Sequence, residues 1–339
     1  MRLLLIGFGT VGQGLAELLI KKKDTLSQKY GLNIIVVGIS DMLKGSIYDA
    51  AGIDLEGALK AAKAGDKISA LRGKFEGNAL DMIKTAKADM MVEATYTDIK
   101  TAEPATSHIR AALERGMHVT TTNKGPVALY FQELSRLAKD KGVKFLYEGT
   151  VLSGTPILNL IRETLAGCHI SQIRGILNGT TNYILTRMEE GLPYAEALKK
   201  AQDLGYAEAV PDADVLGWDA LAKVTILANA VFGANSRPSD FSCKGITEIT
   251  ADMIADAKAR KKRFKLIGKV WRENSKIKGA VAPEEVELTH PLAAVMGATN
   301  AVTITTDTLG DITIVGPGAG RTETGFSTLI DIIKAGGRQ

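Results

Sequence analysis

Two lysines (Lys124, Lys223), three acids (Glu208, Asp214, Asp219) and three glycines (Gly7, Gly9, Gly12) are the residues of this chain best suited by type and spacing to chemistry. Gly7-Phe-Gly9-Thr-Val-Gly12 follows an apolar run at the N-terminus and opens a helical pattern. In that setting Gly7 allows a tight turn, Gly9 lets backbone approach a pyrophosphate, and Gly12 lets helix and strand pack closely. The helix N-terminus then presents free N–H groups and its positive dipole end to phosphate. A ligand-free glycine turn in a parallel sheet is the plainer reading of the same residues. Ser40-Asp41 ends the second apolar run. An acid there accepts hydrogen bonds from an adenosine ribose 2′-OH and disfavours a 2′-phosphate. Asp41 therefore leans toward NAD over NADP, with Lys44 close enough to offset it; otherwise it is a plain turn residue.

Asp219 and Lys223 are four apart on Gly217-Trp-Asp-Ala-Leu-Ala-Lys-Val-Thr-Ile-Leu227. On an exposed face that spacing is an ion pair worth about 0.2–0.5 kcal/mol. Leu221, Val224, Ile226 and Leu227 instead make the helix apolar, and charges in such a place need partners or a task. The acidic loop Tyr206-Ala-Glu208-Ala-Val-Pro-Asp212-Ala-Asp214 precedes it. Acids beside lysines suit an α-amino group and a reacting hydroxyl. Lys124, in Thr122-Asn-Lys-Gly125, follows another strand, at the sheet edge where ligands bind; a surface lysine before a helix is its ordinary alternative. The four histidines are scattered without metal-ligand spacing, which argues against a catalytic transition metal.

The elements that must position these groups are legible in the apolar periodicity. Strands are expected at Arg2–Ile6, 33–40, 89–95, 117–122 and 143–148. Helices are expected at 9–22, near 54–64, at 102–115 and at 126–141. This alternation is a doubly wound, Rossmann-like parallel sheet of α/β class. Helices at 155–165, 181–190, 194–204 and 214–232, with a strand at 171–177, then give way to β-rich runs at 264–272, 277–281, 286–288, 301–306 and 311–315. That change implies a second, α+β domain for catalysis and dimerisation. A last helix, about 322–335, could return to the first sheet. The expected division is 1–147 plus about 311–339 for the dinucleotide, and 148–310 for substrate and dimerisation.

The 339 residues suffice for two sizeable cores, and 45% apolar with 24% charged residues is an ordinary soluble composition. A net charge of +4 is mild and does not by itself imply a nucleic-acid partner, and none is expected. The basic run Lys258 to Lys265 reads as a solvated helix end. Two cysteines cannot make a disulfide framework, and no apolar run approaches ~20 residues, so a cytoplasmic protein without membrane contact is expected.

Taken together, these segments resemble homoserine dehydrogenase over nearly the whole chain. The specific stretches are Gly175-Ile-Leu-Asn-Gly-Thr-Thr-Asn-Tyr-Ile-Leu185, Gly205-Tyr-Ala-Glu208 through Lys223, Thr122-Asn-Lys-Gly125, His290-Pro-Leu-Ala, and the glycine turn at 316–320. The resemblance implies interconversion of L-homoserine and L-aspartate 4-semialdehyde with NAD or NADP, in threonine, methionine and isoleucine biosynthesis, by a homodimer. It implies the monofunctional form, without a kinase or ACT domain. It places Gly7, Gly9, Thr10, Val11 and Gly12 at the pyrophosphate, Thr95 and Asn123 along the nicotinamide half, and the turn containing Gly318 as a closing element. Glu208, Asp214, Tyr206, Gly179 and Thr180 would hold the substrate's amino and carboxylate groups. Lys124 and Lys223 would flank the reacting oxygen, with Asp219 holding Lys223. A sodium-like cation would take the Glu148 side chain and the carbonyls of Val151, Ser153 and Thr155.

A lysine ordinarily titrates near 10.4 and needs help to accept a proton at neutral pH. On this reading Lys223, paired with Asp219, is the polarising cation and Lys124 the proton-transfer group. An aspartate-semialdehyde dehydrogenase would need a nucleophilic cysteine, and Cys168 has no recognisable nucleophile setting. A catalytically silent nucleotide sensor would have no need of Glu208, Asp219, Lys223 and Lys124 together.

Overall fold

A computed structural model describes residues 1–337 of the chain. It divides into two compact units, one comprising Met1–Gly154 and the segment from Gly320 onward, the other Thr155–Ala319. In the first unit the elements run β1 (Arg2–Ile6), α1 (Thr10–Lys21), α2 (Lys23–Tyr30), β2 (Ile35–Asp41), β3 (Gly45–Tyr48), α3 (Leu55–Ala64), α4 (Ala79–Thr85), β4 (Met90–Glu93), α5 (Ala105–Glu114), β5 (His118–Thr121), α6 (Lys124–Leu129), α7 (Phe131–Asp140) and β6 (Phe145–Leu146). The sheet order is β3-β2-β1-β4-β5-β6. All pairings are parallel except β2 with β3. Leu3, Leu4 and Leu5 are fully buried because helices cover both faces of a parallel sheet. The chain passes from β1 to β2 on one side and returns to β4 on the other. The crevice beyond the carboxyl ends of β1 and β4 is therefore the topological switch point.

This is the doubly wound sheet that the sequence predicts, with local differences. Between the helix expected at 9–22 and the strand expected at 33–40 lies a further helix, α2, closed by Gly31 in the left-handed conformation. β3 and α4 are additions between β2 and β4, and the helix expected at 126–141 is two helices that meet at Tyr130.

The second unit runs α8 (Leu158–Thr164), β7 (Ile170–Ile176), α9 (Gly179–Glu189), α10 (Tyr194–Asp203), α11 (Asp212–Val215), α12 (Trp218–Ala230), β8 (Ser242–Cys243), α13 (Ala251–Ala259), β9 (Lys262–Glu273), β10 (Lys276–Glu287), β11 (Thr299–Thr306) and β12 (Gly310–Pro317). Its sheet order is β12-β11-β7-β9-β10-β8. The pairings are antiparallel except for the short β8. β9 and β10 form a hairpin across Asn274-Ser275, both with positive φ, as a tight two-residue turn requires. The two runs expected at 277–281 and 286–288 are this one strand. Pro283 hides the continuity, and β10 tolerates it because β8 pairs only with Ala280 and Val281. The helix expected from Asp214 to Phe232 is broken by Gly217, whose φ of +85° ends α11 and starts α12. Because β12 belongs to this second sheet, the return to the first unit begins at Gly320 rather than near 311.

The returning helix, α14 (Arg321–Gly336), packs on α1 of the first unit. Its fully buried Asp331 accepts hydrogen bonds from Thr120 Oγ1 (2.8 Å) and the Glu148 N–H (3.1 Å). Among the described residues no helix is long and apolar enough to cross a membrane.

Candidate active site

In the first unit, the turn after β1 has the shape its glycines dictate. Gly7 has φ +92°, and a Cβ there would stand 2.3 Å from the Ala94 carbonyl oxygen. A Cβ on Gly12 would stand 2.5 Å from the Gly7 oxygen, whereas nothing lies within 4 Å of one on Gly9. Backbone thus fills the space around Gly7 and Gly12, and open space lies over Gly9, where a pyrophosphate needs it. The turn opens on a cleft of about 870 Å³ lined by Gly7, Gly9, Thr10, Val11, Asp41, Lys44 and Thr95. The cleft suits a dinucleotide in size and in its donors.

Asp41 lines this cleft and also braces it. One carboxylate oxygen accepts the Phe8 N–H at 2.7 Å; the other accepts those of Leu43 (3.0 Å) and Lys44 (2.9 Å). The Lys44 ammonium stands 3.8 Å from the second oxygen. The residue expected to read the ribose therefore also ties the glycine turn to the loop after β2.

At the end of β4, fully buried Glu93 accepts the Thr95 N–H (3.1 Å), the Thr95 hydroxyl, and Thr121 Oγ1 (2.9 Å). Asn123 caps α6, and its Nδ2 donates to the Tyr96 carbonyl at 2.8 Å. Lys124, half-buried, is the first residue of that helix. Sequence reasoning missed Glu93. The available signal was an acid as the last residue of an apolar parallel strand, at the edge that faces ligand.

In the second unit the strand-to-helix turn after β7 gathers the expected charges. Asn178 caps α9 through its Oδ1, which accepts the Thr181 N–H at 2.9 Å. Its Nδ2 donates to Asp214 (2.6 Å) and to Asp219 (2.9 Å). Lys223, only 6% exposed, donates to Asp219 at 2.7 Å and to the Leu177 carbonyl at 2.5 Å. The i,i+4 pair is thus a buried, directed one. The Thr180 hydroxyl donates to the Tyr206 carbonyl at 2.6 Å, and the Tyr183 and Tyr206 rings lie 5.1 Å apart. Asn178, Thr180, Tyr206, Asp214, Asp219 and Lys223 therefore gather around this one turn. Glu208 is exposed on the loop that carries Tyr206 and leads to Asp214.

Gly318 belongs to this second unit. A Cβ there would meet Asn300 at 2.2 Å. Of the residues expected to hold a cation, Glu148 is buried and Ser153 is left-handed (φ 52°), as is its neighbour Leu152 (φ 56°). The hydroxyls of Ser153 and Thr155 bond Thr324 and the Pro317 carbonyl.

Lys265 corrects the reading of the basic run as solvated. It is 1% exposed, and its ammonium binds Asn182 Oδ1 (2.9 Å) and the Val295 carbonyl. Burial pushes it down from 10.5 to about 8, against the opposing pull of Glu189.

Comparison with known proteins identifies the family. A family model described as homoserine dehydrogenase matches residues 156–333, and one described as homoserine dehydrogenase, NAD binding domain, matches residues 7–148. An NAD(+)-dependent homoserine dehydrogenase of Pseudomonas canavaninivorans is 45% identical over 335 residues, covering 98% of this chain and 95% of its own. The homoserine dehydrogenase of Methanocaldococcus jannaschii is 42% identical and covers 98% of each chain. Among solved structures, a putative homoserine dehydrogenase from Archaeoglobus fulgidus has a TM-score of 0.90 at 39% identity over 100% of both chains. A hyperthermophilic archaeal homoserine dehydrogenase in complex with NADPH has a TM-score of 0.84 at 32% identity, covering 98% of this chain and 97% of its own. The chain belongs to the homoserine dehydrogenase family of NAD(P)-dependent oxidoreductases, which interconvert L-homoserine and L-aspartate 4-semialdehyde.

Proposed function

We propose a division of labour for this reaction in which the first unit holds the dinucleotide and the second holds the amino acid. The observation that carries it is the buried Asp219–Lys223 pair, oriented by Asn178 and the Leu177 carbonyl. Bound NAD(P) supplies the hydride acceptor, nicotinamide C4. Two of the three N–H bonds of Lys223 are used within the protein, and the third polarises the substrate's reacting oxygen. Lys124 moves the hydroxyl proton. Asp214 and Glu208 receive the substrate ammonium; Gly179, Thr180 and Tyr206 receive its carboxylate. Gly7, Gly9, Thr10, Val11 and Gly12 cradle the pyrophosphate, while Thr95 and Asn123 line the nicotinamide half. Gly318 closes over the coenzyme from the glycine turn. Asp41 disfavours a 2′-phosphate, so NAD is the preferred coenzyme, with Lys44 narrowing the margin.

Initial rates with L-homoserine and matched NAD or NADP test the reading. Lys223→Ala and Lys124→Ala are both expected to lose at least about a hundredfold in kcat, as expected for loss of acid–base or charge-stabilising groups. Near-full turnover by Lys124→Ala, with loss in Lys223→Ala, would reverse the roles of the two lysines. Coenzyme-induced stabilisation without turnover would leave the dinucleotide cleft standing and remove homoserine as the substrate.

The same reading includes a sodium-like cation on the Glu148 carboxylate and the carbonyls of Val151, Ser153 and Thr155. That donor set is all hard oxygen, as such an ion requires. Activity that rises with sodium at constant ionic strength is the expected sign. It also includes cytoplasmic residence and a homodimer. α9, α12 and α13 pack on the second sheet, and a second copy covering its other face doubles the mass seen by light scattering.

A further inference from the structure

Among the described residues, Asn300 alone leaves both ends of its polar group, Oδ1 and Nδ2, buried without a hydrogen-bond partner. Native structures leave few such groups unbonded without a reason. Asn300 is 1% exposed and stands on β11 opposite Gly316 of β12.

Its place is built by a network. Asn182 Nδ2 donates to the carbonyls of Val295 (3.2 Å), Gly297 (2.8 Å) and Thr299 (3.2 Å). Lys265 binds Asn182 Oδ1 and the Val295 carbonyl, and the Gly297 N–H donates to Thr186 Oγ1 at 3.0 Å. These bonds fix the loop before β11 against the first turns of α9. A Cβ on Gly179 would stand 2.6 Å from the Ala298 carbonyl oxygen and 3.0 Å from Asn300 Oδ1. On the other side, a Cβ on Gly318 would stand 2.2–2.4 Å from the amide's atoms. The carboxamide is therefore held between two glycine backbones.

The first turn of α9, an eleven-residue helix, has N–H groups with no acceptor inside the helix and carries its positive dipole end. An unbonded amide beside those groups completes a seat for an anion. Asp214 and Asp219, gathered on Asn178, repel an anion and suit an ammonium. The polarity matches an α-amino acid. We propose that Asn300 is a further substrate-binding residue, whose Nδ2 donates to the α-carboxylate seated on the first turn of α9. This rests on the placement of homoserine on the Asn178–Asn182 turn. A half-turn of the amide brings Nδ2 to the Gly179 side and breaks no hydrogen bond. The backbone of Gly318 packs against the other side of the amide.

The test uses the full-length enzyme with Asn300→Leu, Asn300→Asp and Gly179→Ala. KM and kcat for homoserine, the Kd for NADH and the melting temperature are measured for each. Asn300→Leu is expected to keep or raise the melting temperature, because it removes two unbonded buried atoms. It should leave the NADH Kd unchanged and raise the homoserine KM roughly tenfold to hundredfold, the weight of a hydrogen bond to a charged group. Asn300→Asp should raise KM further, since one carboxylate then faces another. Asn300→Leu should also narrow the preference for homoserine over 3-aminopropan-1-ol, which lacks the carboxylate. An unchanged KM with a lowered melting temperature would make Asn300 a structural amide and overturn the proposal. A changed NADH Kd with an unchanged homoserine KM would overturn it in favour of a coenzyme role. If Gly179→Ala raises KM and Asn300→Leu does not, only the role of Asn300 falls. If neither does, the turn is not the carboxylate seat and the underlying placement falls with it. Should Asn300→Leu fail to fold, the smaller Asn300→Ser carries the same comparison.

Discussion

The buried ammonium at position 265 is held by an amide oxygen and a carbonyl, and its cost is measurable. Its neutral form is favoured on folding, so the unfolded chain holds its proton more tightly between about pH 8 and 10.5. Stability must then rise with pH across that window and stay flat, from this group, below it. In Lys265→Met the dependence disappears. The stability of the wild type relative to this variant is expected to rise by up to about 3 kcal/mol from pH 8 to 10.5, in denaturant titrations. A difference that stays level across this window would show that the ammonium is solvated in the folded protein. Nothing in the local sequence warns of this burial. Lys265 sits among Arg260, Lys261, Lys262 and Arg263, some of which do face acids at the surface, as Arg260 does Glu285. Asp41 is a second residue whose type was legible and whose bonds were not. An acid at the end of β2 signals a ribose contact, but only folding shows three backbone N–H groups converging on it.

At the scale of elements, the turn from β7 into α9 joins fold to site. Asn178 does two tasks with one side chain: Oδ1 caps the helix and Nδ2 bridges two carboxylates. Asn178→Ala is expected to cost about 1 kcal/mol for the cap and roughly tenfold or more in kcat/KM, because Asp214 and Asp219 lose their common donor. Asn178→Ser, a good cap that cannot span both acids, should recover the stability and not the activity. Recovery of both would deprive the bridge of any role. The motif Asn178-Gly-Thr-Thr-Asn182 is visible in the sequence, and so is the apolar helix carrying Asp219 and Lys223. Their hydrogen bonds were not, because Asn178 and Asp219 are far apart in the chain and Gly217 had to turn α11 away from α12 first.

For the whole molecule, two units with separate sheets imply that each ligand leaves its own footprint. In hydrogen exchange, NADH is expected to slow the amides near 7–12, 41–45 and 94–96 in the first unit. Homoserine, added with NADH, should extend protection to 178–182 and 206–219. Protection by homoserine confined to the first unit would contradict the proposed division. Read from the sequence, the glycine turn at 316–320 lies with the dinucleotide domain. In the structure β12 pairs residue by residue with β11 and carries the turn as far as Ala319 into the second unit.

By itself the sequence determined the alternation of strand and helix, the glycine turn after β1, and the residue types of the site. These follow from local rules: periodicity sets which face is apolar, and a left-handed or close-packed backbone position favours glycine. Tertiary structure alone decided which polar atoms find partners. It bound Lys223 to the Leu177 carbonyl, buried Lys265, and left the Asn300 amide unbonded between Gly179 and Gly318. The physical reason is that a hydrogen bond depends on distance and direction between groups remote in the chain, and those are fixed only when the sheets and helices have packed.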